Sequence, residues 1–176
     1  MKYDLGCGNN LQEGFVGVDI VKEGTQAEIQ FDLLTFPWTF AQDNLAEEVF
    51  ASHLIEHLPH GQGFNDPFFD FMNEIWRILK PQSKATFITP YYTSMRAFQD
   101  PTHQRFITEA TYAYTSLQWR KDNKLEYYPI KTDFKVISCE YIYHPDYQNI
   151  DFQDQQFGLK HFWNVGADMR VVLQKP

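Results

Sequence analysis

Short apolar runs alternate with helix-like segments along the first half of the chain, and turn-forming residues separate them. This alternation is typical of an α/β protein with a mainly parallel sheet. The apolar runs predict five strands, at residues 2–5, 15–20, 28–32, 48–52 and 85–89.

Helical spacing dominates residues 63–79, between the fourth and fifth predicted strands. The apolar positions recur every three or four residues, at Phe64, Phe68, Phe71, Met72, Ile75, Ile78 and Leu79. One helix is therefore predicted there, with its apolar face on the sheet and Pro81 marking its end. A second helix is predicted from about Thr108, whose hydroxyl suits an N-cap.

The C-terminal part contains two long strand candidates, at residues 134–143 and 161–173, joined by a polar connection rich in Gln and Asp. Consecutive long strands of this kind predict an antiparallel edge on the mainly parallel sheet. With 176 residues, of which 43% are hydrophobic, the chain is expected to form one domain, residues 1–176.

The formal net charge of -8 gives no electrostatic signal for nucleic acid or for an anionic membrane, so neither is expected as a partner. Cys7 and Cys139 lie far apart and lack metal-type spacing. We therefore expect a reducing, cytoplasmic compartment. No apolar run of membrane length and no secretory leader is visible in the sequence, which agrees with that expectation.

Two glycines, Gly6 and Gly8, follow the first predicted strand directly. A glycine turn lets a ligand approach the backbone, since no Cβ stands in the way and unusual dihedral angles cost little. Asp19 ends the second predicted strand, where a carboxylate can accept hydrogen bonds from ribose hydroxyls. Asp32 ends the third, where a carboxylate can accept from an adenine amino group. Together these positions predict a nucleotide-like cofactor.

The order of the motifs resembles that of the class I S-adenosylmethionine-dependent methyltransferases over most of the chain. The matching stretches are DLGCG, VGVDI, FDLL, FASHLIEHL and EIWRILKPQSKATFITP. The resemblance implies a three-layer, Rossmann-like α/β fold with a mainly parallel seven-strand sheet, ordered 3-2-1-4-5-7-6, in which the last strand is antiparallel. It also implies S-adenosylmethionine as cofactor and S-adenosylhomocysteine as product.

The same resemblance assigns residues to a cofactor site. Gly6 and Gly8 would face the methionine part of the cofactor, and Asp19 its ribose. Asp32 would face the adenine, with Leu33 beside it. The predicted cofactor-binding residues are Asp4, Gly6, Gly8, Asp19, Ile20, Asp32, Leu33, Ser52 and His53, of which the last two would border the position of methyl transfer.

The chain departs from the family pattern before its second strand. Residues 9–14, NNLQEG, leave room for one helical turn at most where the family has a full helix. The family's N-terminal helices, which often close the pocket, are also missing from this sequence. The site is therefore expected to be open, or to be closed by a second subunit as in a homodimer.

A zinc peptidase shares one of these motifs. Residues 53–57, HLIEH, match the HxxEH pattern, in which two histidines bind zinc and the glutamate activates water. The preceding residues are predicted as strand, and the following LPHGQG ends any helix within a turn. Glu56 and His57 are therefore interpreted as structural residues at the strand end, and no metal site is predicted.

Dinucleotide-binding oxidoreductases share the motif of two glycines followed by an acidic residue. Gly6, Gly8 and Asp19 form half of that fingerprint, but Leu11 stands where the third glycine is needed. The helix that should receive the pyrophosphate is also too short. This alternative is therefore less favoured than a methyltransferase.

The segment DPTHQRF, residues 100–106, is the best candidate for substrate chemistry, because it forms a loop after the fifth predicted strand. His103 is a candidate general base, and Arg105 a candidate clamp for a carboxylate or phosphate. The alternative is an ordered loop in which Asp100 caps the turn and Arg105 pairs with it. His53 is the third catalytic candidate, because it borders the predicted site of methyl transfer.

Aromatic residues after the fifth strand allow two interpretations. Either they wall a pocket for a planar acceptor, or they pack as core and lid; these residues are Tyr91, Tyr92, Phe98, Tyr112 and Trp119. Cys7, inside the glycine turn, is interpreted as a packing residue rather than a catalytic thiol.

The predicted function is direct transfer of a methyl group to a small-molecule acceptor. Such a reaction depends on aligning donor and acceptor and on excluding water, and it requires no covalent enzyme intermediate. The alternative is a cofactor-binding or inactive module of the same fold that acts as a subunit.

Overall fold

The computed structural model describes residues 1–176 and contains one sheet of seven strands. The strands are β1 (Lys2–Leu5), β2 (Val16–Asp19), β3 (Ile29–Gln30), β4 (Ala46–Ser52), β5 (Leu79–Pro90), β6 (Lys135–Tyr143) and β7 (Gly166–Gln174). Their order is β3-β2-β1-β4-β5-β7-β6. Strands β1 to β5 pair in parallel, whereas β7 is antiparallel to both of its neighbours. The predicted α/β fold, strand order and antiparallel last strand are confirmed.

All five α-helices follow β4 along the chain. They are α1 (Pro67–Ile78), α2 (Arg96–Gln99), α3 (Glu109–Ala113), α4 (Leu117–Asp122) and α5 (Phe152–His161). Loops alone join β1, β2, β3 and β4, so the predicted loss of the first helix is confirmed. None of the helices has the length and apolar character that crossing a bilayer requires.

Helix α1 is shorter at its start than the predicted helix at residues 63–79. Asp66 caps it, because its Oδ1 accepts a hydrogen bond of 2.9 Å from the Phe68 N–H, and Pro67 occupies the first turn. Gly63, with a φ of 60°, forms a turn before the cap and leaves Phe64 outside the helix. The apolar face is buried as predicted, at Phe68, Phe71, Met72, Ile75 and Ile78.

The polar connection before β7 contains a helix that the sequence pattern did not reveal. Helix α5 ends at His161, so the strand predicted at residues 161–173 begins only at Gly166. Only Gly158 and Leu159 of α5 are buried, and so few buried positions give no apolar stripe for a sequence to show. The helix predicted from Thr108 is present as α3, with a capping box formed by Thr108 and Thr111.

An aromatic loop, residues 31–45, covers α1 where a helix is missing between β3 and β4. Trp38 is only 1% exposed at the centre of this loop. Its ring packs edge-on against Phe71 of α1 at 5.3 Å and stacks on Phe40 at 5.7 Å. Aromatic side chains bury enough apolar area to replace part of a helical layer.

Glu74 of α1 fixes the aromatic loop through its backbone. The carboxylate oxygen Oε2 accepts hydrogen bonds of 2.7 Å from the Trp38 N–H and from the Arg77 guanidinium. Arg77 also donates to the carbonyls of Trp38 and Ala41. The loop therefore depends on one buried carboxylate and its arginine partner.

We expect Glu74→Ala to lower the free energy of unfolding by about 1–3 kcal/mol, because it leaves the buried Trp38 N–H without an acceptor and removes one carboxylate partner of Arg77. Urea denaturation measures the change. Glu47→Ala is the matched control, since Glu47 is exposed and pairs only at the surface, and its urea midpoint should remain near that of the wild type. Equal losses in both variants would contradict the role given to Glu74.

Candidate functional site

A cleft of about 320 Å³, here called the main cleft, opens at the carboxyl edge of β1, β2 and β4. It is lined by Gly6, Asp19, Ile20, Phe31, Asp32, Leu33, Leu34, His53, Leu54, His57 and Leu58. Ligands of open α/β sheets bind at this edge, and small-molecule sites start at roughly 300 Å³. The main cleft therefore has the position and the size of a ligand site.

A smaller space of about 220 Å³, the side hollow, adjoins the main cleft and shares Gly6 and His53 with it. The structure brings together all the residues predicted to bind the cofactor. Six of them line the main cleft, namely Gly6, Asp19, Ile20, Asp32, Leu33 and His53, whereas Asp4, Gly8 and Ser52 line the side hollow. Their role in binding stays a prediction.

Asp19 holds the glycine turn in addition to lining the main cleft. Its Oδ2 accepts a hydrogen bond of 2.9 Å from the Gly8 N–H, and its Oδ1 accepts one of 3.0 Å from the Val21 N–H. Gly8 has a φ of 48° and Gly6 one of 67°, a backbone conformation that favours glycine at both positions. Each carboxylate oxygen has a second lone pair, so Asp19 can still accept from a ligand.

Asp4 in β1 is a buried carboxyl beside the side hollow. Burial raises its pKa from 3.8 to about 6, although the Gln12 N–H donates to its Oδ2 at 2.9 Å and opposes the shift. The carboxyl is therefore partly protonated near pH 6.

His53 follows β4 with a φ of 54°, in the left-handed region that few non-glycine residues adopt. Its Nδ1 lies 3.2 Å from Oε1 of Glu56, which is 1% exposed. A carboxylate partner favours the proton on Nδ1 and leaves Nε2 free to accept a proton. Glu56 thus positions a candidate base at the junction of the main cleft and the side hollow.

The chain was compared with protein families, curated proteins and solved structures. No protein-family model and no curated protein matches the chain. A SAM-dependent methyltransferase from Archaeoglobus fulgidus, by contrast, is structurally similar with a TM-score of 0.63 at 20% identity, over 99% of this chain and 85% of that one. The chain has the class I methyltransferase fold.

Two further structures share the methyltransferase fold. An S-adenosylmethionine-dependent methyltransferase from Mesorhizobium loti has a TM-score of 0.57 at 13% identity, over 98% of this chain and 89% of that one. A geranyl diphosphate C-methyltransferase from Streptomyces coelicolor A3(2), in complex with Mg²⁺, geranyl diphosphate and S-adenosylhomocysteine, has a TM-score of 0.54 at 11% identity, over 99% and 71%. Identities this low establish the fold alone.

Arg105 makes structural contacts in the methyltransferase fold. Its Nε donates to the carbonyl of Leu58 at 2.8 Å, and its Nη2 pairs with Asp66 at 2.6 Å and donates to the carbonyl of Pro59. Asp100 caps its turn by accepting from Thr102, but it is not the partner of Arg105, contrary to the prediction for an ordered loop. These contacts support the structural interpretation of Arg105 over the substrate clamp.

His103 is separated from the main cleft by the ring of His57. Its Nδ1 is 3.1 Å from the carbonyl of Ala97, and its ring packs edge-on against His57 with centroids 4.6 Å apart. His57 lines the main cleft, whereas His103 does not. The two histidines were assigned different roles from the sequence, and the structure brings them together.

The aromatic candidates lie outside the main cleft. Tyr91 is buried, and its hydroxyl donates to Glu109 at 3.1 Å; Tyr112 is buried and stacks on Phe87. Tyr92 packs against Tyr91, Trp119 against Tyr114 and the exposed Phe98 against Phe106. The packing interpretation is supported for the buried Tyr91 and Tyr112.

Cys7 is buried in the glycine turn. Burial raises the pKa of its thiol to about 11, so the thiol remains protonated near neutral pH. This state supports the interpretation of Cys7 as a packing residue rather than a nucleophile.

We expect Asp4→Asn to change the pH dependence of stability. The folded protein binds the Asp4 proton more tightly than the unfolded chain, so the stability from this carboxyl is lost as the pH rises from 3.8 through about 6. The variant stays neutral, and its urea midpoint should therefore rise relative to the wild type through that window. A difference between Asp4→Asn and the wild type that stays constant across that window would contradict the assignment.

Proposed function

We propose that this chain transfers a methyl group from S-adenosylmethionine to an acceptor molecule. The observation that carries the proposal is the main cleft, where the glycine turn meets Asp19, the last residue of β2, and Asp32, two residues after β3. The methyltransferase fold supports it, and one structural neighbour is in complex with S-adenosylhomocysteine. A GxG turn with acids at the next two strand ends matches the chemistry of a nucleoside ligand.

The binding roles follow from the positions of these groups. The turn at Gly6 and Gly8 would accept the methionine part, because a Cβ built at Gly8 meets no atom within 4 Å and the backbone there is open to a ligand. Asp19 would accept hydrogen bonds from the ribose hydroxyls. Asp32 would accept from the adenine amino group through Oδ2, since its Oδ1 accepts from the Leu34 N–H.

The cofactor supplies a methyl group on a positively charged sulfur, which makes the methyl carbon open to direct attack. The protein then has to align the acceptor atom with that carbon and to exclude water. His53 would remove a proton from the acceptor through Nε2, and Glu56 would stabilise the imidazolium that forms. His103 stays a predicted base, but its place behind His57 makes His53 the better candidate.

We further propose that the acceptor is a small molecule. The net charge of -8 disfavours a phosphate backbone as acceptor. The side hollow adjoins the main cleft at His53, and Gly8 lines it, so the methionine part of the cofactor would extend into it and bring the methyl group near His53. The cytoplasmic location predicted from the cysteines is part of the same proposal.

A homodimer is a second proposed feature, and an exposed aromatic cluster supports it. The ring of Phe98 stacks on Phe106 at 4.5 Å and packs at a tilt against Trp163 at 5.7 Å, and each of the three side chains is more than half exposed. Apolar surface of this kind marks interaction sites. If a second copy covers it, Trp163→Ser should convert a dimer to a monomer in sedimentation equilibrium, whereas a monomeric wild type would exclude the dimer.

Calorimetric titration with S-adenosylhomocysteine tests the cofactor site. We expect binding to the wild type and a loss on the order of tenfold to a hundredfold in Asp32→Ala, because a hydrogen bond to a charged group is removed. Asp19→Asn should lose affinity similarly and should also loosen the glycine turn, which would lower its melting temperature.

Asp122→Asn is the matched control, since Asp122 lies on α4, away from the main cleft, and it should bind like the wild type. Absence of binding to folded wild type would contradict the proposed function. It would favour the alternative, a module of this fold that acts as a subunit.

A further inference from the structure

Two histidines and a glutamate converge beside the main cleft. Glu56 and His57 lie in a single 3₁₀ turn after β4, at Ile55–His57, and His103 lies in the loop after α2. One ligand-type atom from each side chain lies within 4.8 Å of the other two. We propose that Glu56, His57 and His103 bind a divalent first-row transition metal ion.

The hydrogen bonds of His57 leave one ring nitrogen available. Its Nδ1 lies 3.0 Å from Oγ1 of Thr102, and that hydroxyl donates its single hydrogen to Asp100 at 2.7 Å. The hydroxyl oxygen must therefore accept from His57, which places the proton on Nδ1. Nε2 is left with its lone pair, as a metal ligand requires.

The same reasoning applies to His103. Its Nδ1 lies 3.1 Å from the carbonyl of Ala97, which can only accept. The proton is therefore on Nδ1, and Nε2 has the lone pair. Metal-binding histidines in proteins usually donate a hydrogen bond from the ring nitrogen that does not bind the metal. This bond fixes the tautomer and the ring orientation.

Glu56 supplies an independent observation. It is 1% exposed, and its Oε2 has no hydrogen-bond partner, although Oε1 faces His53. A buried carboxylate oxygen without a partner is costly, and buried charges are normally paired or bound to metals. A cation bound by Oε2 would satisfy it.

The donor set determines the class of ion. Two imidazole nitrogens and one carboxylate oxygen suit Zn²⁺, Mn²⁺, Fe²⁺ or Co²⁺ rather than Ca²⁺, which prefers oxygen ligands alone. Ligands at about 2.1 Å from a tetrahedral ion lie roughly 3.4 Å apart. The ligand-type atoms of the three side chains lie within 4.8 Å of one another, so they would move closer together on binding. Three protein ligands leave a coordination position open.

The proposed site departs from the sequence prediction, in which no metal site was expected. The HxxEH pattern placed zinc ligands at His53 and His57 of one helix, but the structure places His57 in a 3₁₀ turn and brings His103 from a distant loop. His53 faces Glu56 instead. The inference goes beyond the proposed function and does not depend on it, because metal binding is measured without cofactor.

Calorimetric titration of the metal-free full chain with Zn²⁺ tests the proposal. We expect one ion per chain, and at least tenfold weaker binding in Glu56→Gln and in His103→Gln. Thr102→Val should weaken binding less, because it removes only the support of His57. His144→Gln is the control, since His144 is an exposed histidine beside an acidic residue and away from the cluster, and it should bind like the wild type.

Circular dichroism of each metal-free variant checks its fold. If Glu56→Gln does not fold, the binding measured for His103→Gln tests the proposal, because His103 lies in a different loop from Glu56. Absorption of the Co²⁺-loaded wild type gives a second readout, and its visible bands should be lost in His103→Gln. Wild type that does not bind Zn²⁺, folded variants that bind like the wild type, or equal loss in His144→Gln would each overturn the proposal.

Discussion

Carboxylates that accept backbone N–H groups hold the loops of this fold in place. A parallel sheet needs cover on both faces, yet no helix lies between β1 and β4. Glu74 binds the Trp38 N–H and so places the aromatic loop on α1, and Asp19 binds the Gly8 N–H and so shapes the glycine turn. A buried N–H without a partner is expensive, so each of these bonds selects one loop conformation. The chain therefore forms the seven-strand sheet although no helix lies between β1 and β4.

The same bonds define the main cleft. Asp19 lines the cleft and also supports the turn beside it, so ligand binding and loop structure share one carboxylate. A helix between β1 and β2 would normally provide that support through its N-terminus. In this chain a side chain from β2 provides it instead.

Arg105 joins the loop after α2 to the turn after β4. Its guanidinium bonds the carbonyls of Leu58 and Pro59, and it pairs with Asp66, which caps α1. The backbone carbonyl of Glu56 also accepts from the N–H of Arg105, at 3.1 Å. These contacts hold the His103 loop against the turn that contains the other two proposed metal ligands. Arg105, a candidate substrate clamp in the sequence, is therefore a structural residue that holds the two loops of the proposed metal site together.

The sequence by itself predicted the strands and the sheet edge at which the main cleft lies, and the strand order followed from the resemblance to the methyltransferases. Strand periodicity, the glycine turn and the strand-end acids are local patterns, and a parallel sheet brings the carboxyl ends of neighbouring strands to one edge. Only the tertiary structure decided the partners of Arg105, the bond between Asp19 and Gly8, and the meeting of His57 with His103. Those contacts join residues that are far apart in the chain, and their geometry depends on loop conformations that no periodicity encodes. Helix α5 was missed for a related reason, since it buries too few side chains to leave a pattern.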